Sequence, residues 1–294
     1  MYSLSKTTSD SQKERKEMEK SEKLSVYYHD LFDYPLTFSD LIKWDTSKNF
    51  SLNSRKIQVV CQNNYFFLKG REGLIYKRIL KTRISIKKMD IAQKASKVLS
   101  IIPGVKMVAV TGSLAMNNAG DKSDIDLMII TKNGTLWTTR LFVYLFICLF
   151  GIQKRRPFDK NQKDKLCLNM WMDEHDIIWK SKRNIYTAHE IAQILPLVNK
   201  ERTYEKFLYQ NKWILKYWPN AVRIENCTTS SSSSLKIENS RVGKSLLEKI
   251  AYQIQLNHMK SKITREIITP TRAIFHPQDW GSVIISRLNN NGIF

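Results

Sequence analysis

Residues 105–131, VKMVAVTGSLAMNNAGDKSDIDLMIIT, constrain the fold of this chain more than any other stretch. An apolar run from Val105 to Val110, a Gly112-Ser113 turn, a short helix, a loop and a second apolar run follow one another without a gap. Alternate residues of a strand share a face, so Asp124 and Asp126 point one way while Ile125 and Leu127 point into a core. Two carboxylates fixed on one face repel each other, and a cation between them removes the repulsion. A Gly-Ser turn opening a helix presents N–H groups and a hydroxyl to an anion. A divalent cation beside a phosphate is the equipment of phosphoryl or nucleotidyl transfer. A lone Asp-x-Asp is more often a solvated strand edge, but the ordered strand, turn, helix, spacer and strand argue against that here.

The segment resembles the signature of the nucleotidyltransferase superfamily typified by DNA polymerase beta. Gly112-Ser113, the spacer Leu114 to Ser123, and Asp124-Ile125-Asp126-Leu127 carry the resemblance. A wider likeness, to a bacterial group of uncharacterised nucleotidyltransferase-like proteins, rests on Tyr34–Thr37, Gly112–Asn118, Ser123–Leu127, Leu136–Arg140, Cys167–Asn169 and Tyr186–Glu190. It implies Asp124 and Asp126 as catalytic ligands of Mg²⁺ or Mn²⁺. It also implies Gly112 and Ser113 as the grip on the phosphates of a nucleoside triphosphate, with ATP the first expectation. The family often adds a third carboxylate on a neighbouring strand, here LCLNMWMD, where the central position is Asn169. An amide coordinates weakly and takes no proton. Either Asp173, on the same face by strict alternation and nearer the strand end, substitutes as the third catalytic carboxylate, or one metal is bound, or the site binds nucleotide without turnover.

The chain has 294 residues, enough for two small domains or one large one, and its 42% hydrophobic share supports a buried core. A net charge of +21 favours a polyanionic partner, RNA or DNA, although a Lys-, Asn- and Ile-rich coding bias produces the same excess. The cysteines Cys61, Cys148, Cys167 and Cys227 are far apart, which suits buried thiols in a reducing, cytoplasmic setting. The first residues are polar and charged, so no secretory leader is expected. LFVYLFICLFGI, Leu141 to Ile152, is too short to span a bilayer and reads as a core helix without stable membrane insertion.

The fold class expected is α/β (α+β): a nucleotidyltransferase-type mixed β-sheet with flanking helices, preceded by a winged-helix-like domain and followed by a helical region. Residues 1–23 read as a flexible tail. Residues 24–85 read as a winged-helix-like domain: three helices, the third from Leu52 to Gln62, then a hairpin turning at Lys69–Gly73. Arg55, Lys56, Lys69 and Arg71 would meet nucleic acid in such a domain. A helix Ile86–Ile102 opens the transferase core at 86–183, with Ile177–Trp179 pairing back on LCLNMWMD. Residues 184–225 read as a helical extension, including a helix Tyr186–Val198 with Thr187 as N-cap and Glu190 as its capping-box partner. A Ser-rich linker (226–240) and a C-terminal helical segment (241–294) follow. The histidines show no zinc spacing, and Val242–Ser245 lacks the first glycine of a P-loop. Two functions follow. One is a nucleotidyltransferase acting on a hydroxyl of RNA, a small metabolite or a protein. The other is a winged-helix regulator whose transferase-like domain senses nucleotide without catalysis.

Overall fold

The computed structural model describes residues 24–46, 59–156, 159–224, 246–260, 266–275 and 279–290. The expected tail, the Ser-rich linker, Arg55 and Lys56 lie outside the described residues. The first element is a helix at 24–30 (α1). Next come strand β1 (Leu36–Thr37), helix α2 (Phe38–Lys43) and the hairpin strands β2 (Val59–Gln62) and β3 (Tyr65–Leu68). Thr37 caps α2 through a reciprocal box with Asp40, because its hydroxyl accepts from the Asp40 N–H while that carboxylate accepts from the Thr37 N–H. The three strands form a sheet in the order β1-β3-β2.

The expected hairpin is displaced by one segment. The turn lies at Asn63-Asn64, both with positive φ (51° and 63°), the backbone that a tight hairpin demands and asparagine tolerates. Val59–Gln62 is therefore strand, not the end of a third helix. The run after Gly73 belongs to one helix, α3 (Leu74–Ser100), which crosses the expected boundary at residue 85. Its buried face carries Arg78, Ser85 and Lys88 among the apolar residues, so apolar spacing alone does not reveal its true start.

The larger sheet holds β4 (Val105–Val110), β5 (Ile125–Thr131), β6 (Leu166–Asp173), β7 (Leu195–Asn199), β8 (Ile267–Thr269) and β9 (Arg272–Ile274), in the order β7-β4-β5-β6-β9-β8. Only β5 and β6 run parallel among these pairs. Between them lies the helix α5 (Leu136–Leu149), the crossover a parallel pair requires. Two expectations fail at the sheet edges. Pro196 ends the helical pattern, so Tyr186–Val198 divides into helix α6 (Ile185–Ala192) and edge strand β7, where a proline's missing N–H is tolerated. The neighbour of β6 is β9 rather than Ile177–Trp179, so the C-terminal segment is not purely helical.

Each face of the sheet buries its own core. Val108, Val110, Leu127, Ile129 and Trp171 pack with residues of α3, α5 and helix α8 (Leu246–Met259). Met107, Ala109, Met128, Ile130 and Met172 pack with the N-terminal module, α6, helix α7 (Thr203–Gln210) and helix α9 (Trp280–Asn290). The outer side of α5 stays apolar and exposed at Phe142, Leu145 and Leu149, so the expected core helix is buried on one side alone. Cys61 and Cys148 are exposed free thiols, against the expectation of burial. No helix among the described residues is long and apolar enough to cross a membrane.

The module at 24–46 is clamped to the rest by aromatic packing. His189 stacks on Trp44 at 3.9 Å, and its Nε2 lies 3.1 Å from Nε2 of His29. His29 Nδ1–H donates to the Ser25 carbonyl at 2.8 Å, which leaves Nε2 of a neutral ring as acceptor for His189. Burial holds His29 down to about 4 and His189 well below the ordinary range, so both rings are neutral. Arg78 adds a polar clamp, donating to Tyr34 Oη at 2.6 Å and to the carbonyl of Asn117 at 2.9 Å.

Candidate active site

Strand β4 ends at Val110, the chain turns at Gly112, and a one-turn helix, α4 (Gly112–Ala115), follows. The turn closes onto β5 through Thr111 N–H to the Asp126 carbonyl at 3.0 Å. Gly112 has φ +61°, and a Cβ there would lie 2.8 Å from Asp126 Oδ2, so both the backbone and the carboxylate demand glycine. Gly112 therefore brings backbone directly against the Asp126 carboxylate. Ser113 is exposed beside it and is not among the residues lining the adjacent cavity.

That cavity, of about 450 Å³, is lined by Thr111, Gly112, Asp124 and Asp126 on the sheet side, with Arg155, Cys167 and Asn169 next to them. Ligand atoms of Asp124, Asp126 and Cys167 all lie within 4.8 Å of one another. Asp126 accepts from Asn169 Nδ2 at 2.7 Å, and Asp124 accepts from Arg155 Nη1 at 2.9 Å. Burial, then the charge of Asp124, push the Asp126 carboxyl up to about 7. Burial and the two carboxylates push the Cys167 thiol up as well. The site thus lacks positive charge for what it holds: one guanidinium serves one of two crowded carboxylates. Asn169 is 8% exposed, and its Oδ1 has no hydrogen-bond partner. An orphaned buried oxygen beside two carboxylates is what a bound divalent cation would satisfy, so the donor set fits Mg²⁺ or Mn²⁺.

Asp173 does not join them. The β5–β6 register pairs Asp126 with Cys167 but Thr131 with Asp173, which places Asp173 at the far end of the strand. The register also shifts between Asp126 and Met128, a bulge that puts both Asn169 and Met170 on the cavity wall. Beyond the bulge Met172 takes the cavity's face and Trp171 the opposite core. Asp173 is instead a turn anchor, accepting from Gly134 N–H at 2.6 Å and His175 N–H at 2.9 Å.

The same cavity is lined by α6, which contributes Tyr186, Thr187 and Glu190, the last within the electrostatic influence of Asp126. The N-cap of α6 is Asn184, whose Oδ1 accepts from Thr187 N–H at 2.9 Å, so Glu190 is no capping-box partner. Burial, then the charge of Asp126, push Glu190 up to about 7, and Gln193 Nε2 donates to it at 2.8 Å. The remaining wall is largely aromatic, with Trp179, Phe207, Phe275 and Trp280. Of the expected nucleic-acid contacts in the described part, Lys69 is exposed, while Arg71 is engaged internally with Asp30 and Asp33 at 3.0 and 2.6 Å.

Residues 91–216 match the family model described as the nucleotidyltransferase domain. That stretch is similar to the nucleotidyltransferase domain of the polymerase-beta-like superfamily. The mixed sheet and flanking helices are consistent with a nucleotidyltransferase fold, and the match supports nucleotidyl transfer as the general class of chemistry. Searches of curated proteins and of solved structures find no match to the chain. The match contains Gly112, Asp124, Asp126, Asn169 and Glu190, and thus the sheet side of the cavity together with α6.

Proposed function

We propose that the nucleotidyltransferase domain is a divalent-cation-dependent enzyme that moves a nucleoside monophosphate from a triphosphate, ATP first among candidates, onto a hydroxyl. The observation that carries this reading is the pair Asp124 and Asp126, held with a glycine turn against one wall of a cavity and short of countercharge. Asp124 and Asp126 would hold Mg²⁺ or Mn²⁺, with Cys167 and Asn169 beside them. The cation supplies charge neutralisation on the triphosphate and on the attacking oxygen. The backbone at Gly112, with Ser113, receives the outer phosphates, and Arg155 is within reach of the same charge. The aromatic wall excludes water and packs the base or the acceptor. A cytoplasmic setting remains part of this proposal.

A second reading has specific support of its own. Helix, strand, helix and hairpin in sequence, with sheet order β1-β3-β2, support the reading of a winged-helix-like module, and Asn169 stands where a carboxylate is expected. Such a chain would bind nucleic acid through the module and sense nucleotide without turnover.

One experiment separates the two readings from a fold that binds nothing. Melting is followed with Mg²⁺ and each triphosphate, for wild type and Asp126→Asn. A ligand at a hundredfold its dissociation constant adds about 2.7 kcal/mol. The expected outcome is a metal-dependent shift in wild type that Asp126→Asn abolishes, with product formed from labelled triphosphate. A shift without product favours the sensor, and no shift with any triphosphate removes both readings.

A further inference from the structure

The proton of the acceptor hydroxyl has no obvious destination in the site as strand β6 builds it. Asn169 occupies the central strand position and its amide cannot take a proton. Asp173 is at the far end of the strand. Asp124 and Asp126 would be occupied by the cation. Of the other lining groups, Arg155 is a permanent cation, and the Cys167 thiol and Tyr186 phenol are already protonated and held so by burial. His189 sits on the same helix but is buried in the aromatic cluster with His29 and Trp44 and does not line the cavity.

We infer that Glu190, reaching into the cavity from α6, is the catalytic residue that receives this proton. Three observations converge on it. Glu190 is the lining carboxylate outside the cation pair. It stands on a separate element from Asp126, so an acceptor can lie between cation and base instead of competing with the cation for one oxygen. Trp179 and Tyr186 line the same cavity, giving an acceptor an apolar surface to rest on. In the step so assigned, the acceptor oxygen forms a bond to the α-phosphorus and the bond from that phosphorus to the β-bridging oxygen breaks. Pyrophosphate departs, and the hydroxyl proton passes to the Glu190 carboxylate. A carboxylate on a helix thereby does what strand β6 cannot.

The inference rests on the nucleotidyl-transfer reading, so its test pairs a binding measurement with a turnover measurement. Wild type, Glu190→Gln and Glu190→Asp are compared in two assays. The first is the melting shift caused by Mn²⁺ with a non-cleavable ATP analogue. The second is the release of AMP and pyrophosphate from α-labelled ATP with Mn²⁺, water serving as acceptor. Glu190→Gln is expected to keep the melting shift, which also shows that it is folded, and to lose about 10²–10⁴-fold in product formation. Glu190→Asp is expected to recover part of the rate. A Glu190→Gln rate within about threefold of wild type overturns the role of Glu190 and leaves the nucleotidyl-transfer reading standing. A wild type that binds the analogue but releases no AMP also overturns it. A wild type with no Mn²⁺-dependent shift removes the transfer reading itself, and the role of Glu190 with it.

Discussion

Lys88 and Asp126 lie on opposite sides of the same spacer, and the molecule treats their charges in opposite ways. Lys88 is 1% exposed, yet all three of its donors are placed: on Ser123 carbonyl at 2.8 Å, Asp121 carbonyl at 3.2 Å and Asp164 Oδ1 at 2.6 Å. A buried cation so satisfied fastens the spacer to α3. Asp126 is hydrogen-bonded by the neutral amide of Asn169 and the thiol of Cys167, and the charge of Arg155 does not offset its burial and the repulsion of Asp124. The difference teaches where the fold is complete without a ligand and where it is not. A charge paired on all sides contributes architecture, and a charge left short of partners marks a place reserved for something else.

The largest expected effect breaks the satisfied site. Lys88→Met keeps the length and the apolar stem but strands two carbonyls and leaves Asp164 unpaired. Asp164 is 39% exposed and stays solvated, so the cost comes from the two stranded carbonyls and is about 2 kcal/mol. The expected result in urea is a fall of that size, with the melting shift from Mn²⁺ and nucleotide also reduced because the spacer ends beside Asp124. A Lys88→Met protein within about 0.5 kcal/mol of wild type would show that the two sites are not different in kind.

Much of the unsatisfied site was legible in the residues, and the reason is geometric. The Gly112 turn and the Asp124-Ile125-Asp126 alternation are local, and a strand with a two-residue period carries its faces in the sequence. What the sequence hid lies where that period fails or where the contact is tertiary. The bulge in β6 adds a residue to the cavity wall and sends Asp173 away, yet LCLNMWMD alternates on paper as if unbroken. Glu190 stands three residues after Thr187, the pattern of a capping box, and only the position of α6 across the sheet turns it toward Asp126. The start of α3 was concealed because its buried face carries Arg78 and Lys88, side chains that belong on a surface until their partners are known. The N-terminal hairpin slid because the Gly-rich stretch Lys69–Gly73 carries an obvious turn signal, whereas the real turn is set by the positive φ of Asn63 and Asn64.

The pH dependence sharpens the comparison with a smaller effect. Asp126 and Glu190 are both held up to about 7, above the ordinary carboxylate range. The folded chain therefore prefers the protonated forms. Their contribution to stability is complete below about pH 4 and is lost as pH rises through 7. His29 and His189, held neutral by burial, raise stability as pH climbs toward 6.5, so the carboxyl term is read as a difference: without added cation, wild type should lose about 1–2 kcal/mol relative to Asp126→Asn between pH 5 and 8, once the partial exposure of both carboxyls is discounted. Mg²⁺ at pH 8 should restore it, since a cation favours the ionised pair. Asp126→Asn should flatten the carboxyl slope, as it removes one titrating group and the repulsion on Glu190. Because the two carboxyls influence each other, the slope belongs to the pair rather than to either residue. Metal-free profiles that run parallel in wild type and mutant from pH 5 to 8 would contradict the strained state of the site.

The smallest effect concerns the cation already present. Arg155 places Nη1 at 2.9 Å from Asp124 Oδ2 and 3.8 Å from Cys167 Sγ, which is where a divalent ion would draw on the same atoms. The guanidinium must yield when the ion arrives, so the two compete. Its side chain is 39% exposed, and solvent weakens the pair accordingly. Arg155→Ala is therefore expected to tighten Mn²⁺ binding in the absence of nucleotide by about threefold, or roughly 0.7 kcal/mol, in a low-salt titration. The displaced guanidinium is suited to a phosphate, which it can meet with two parallel N–H donors. The same variant should then bind triphosphate more weakly once the ion is in place. Opposite signs for ion and nucleotide would mark Arg155 as a counterion that changes partners on loading. Weakening of both would make it a fixed strut like Lys88, and the contrast between the two sites would narrow to the carboxylates alone.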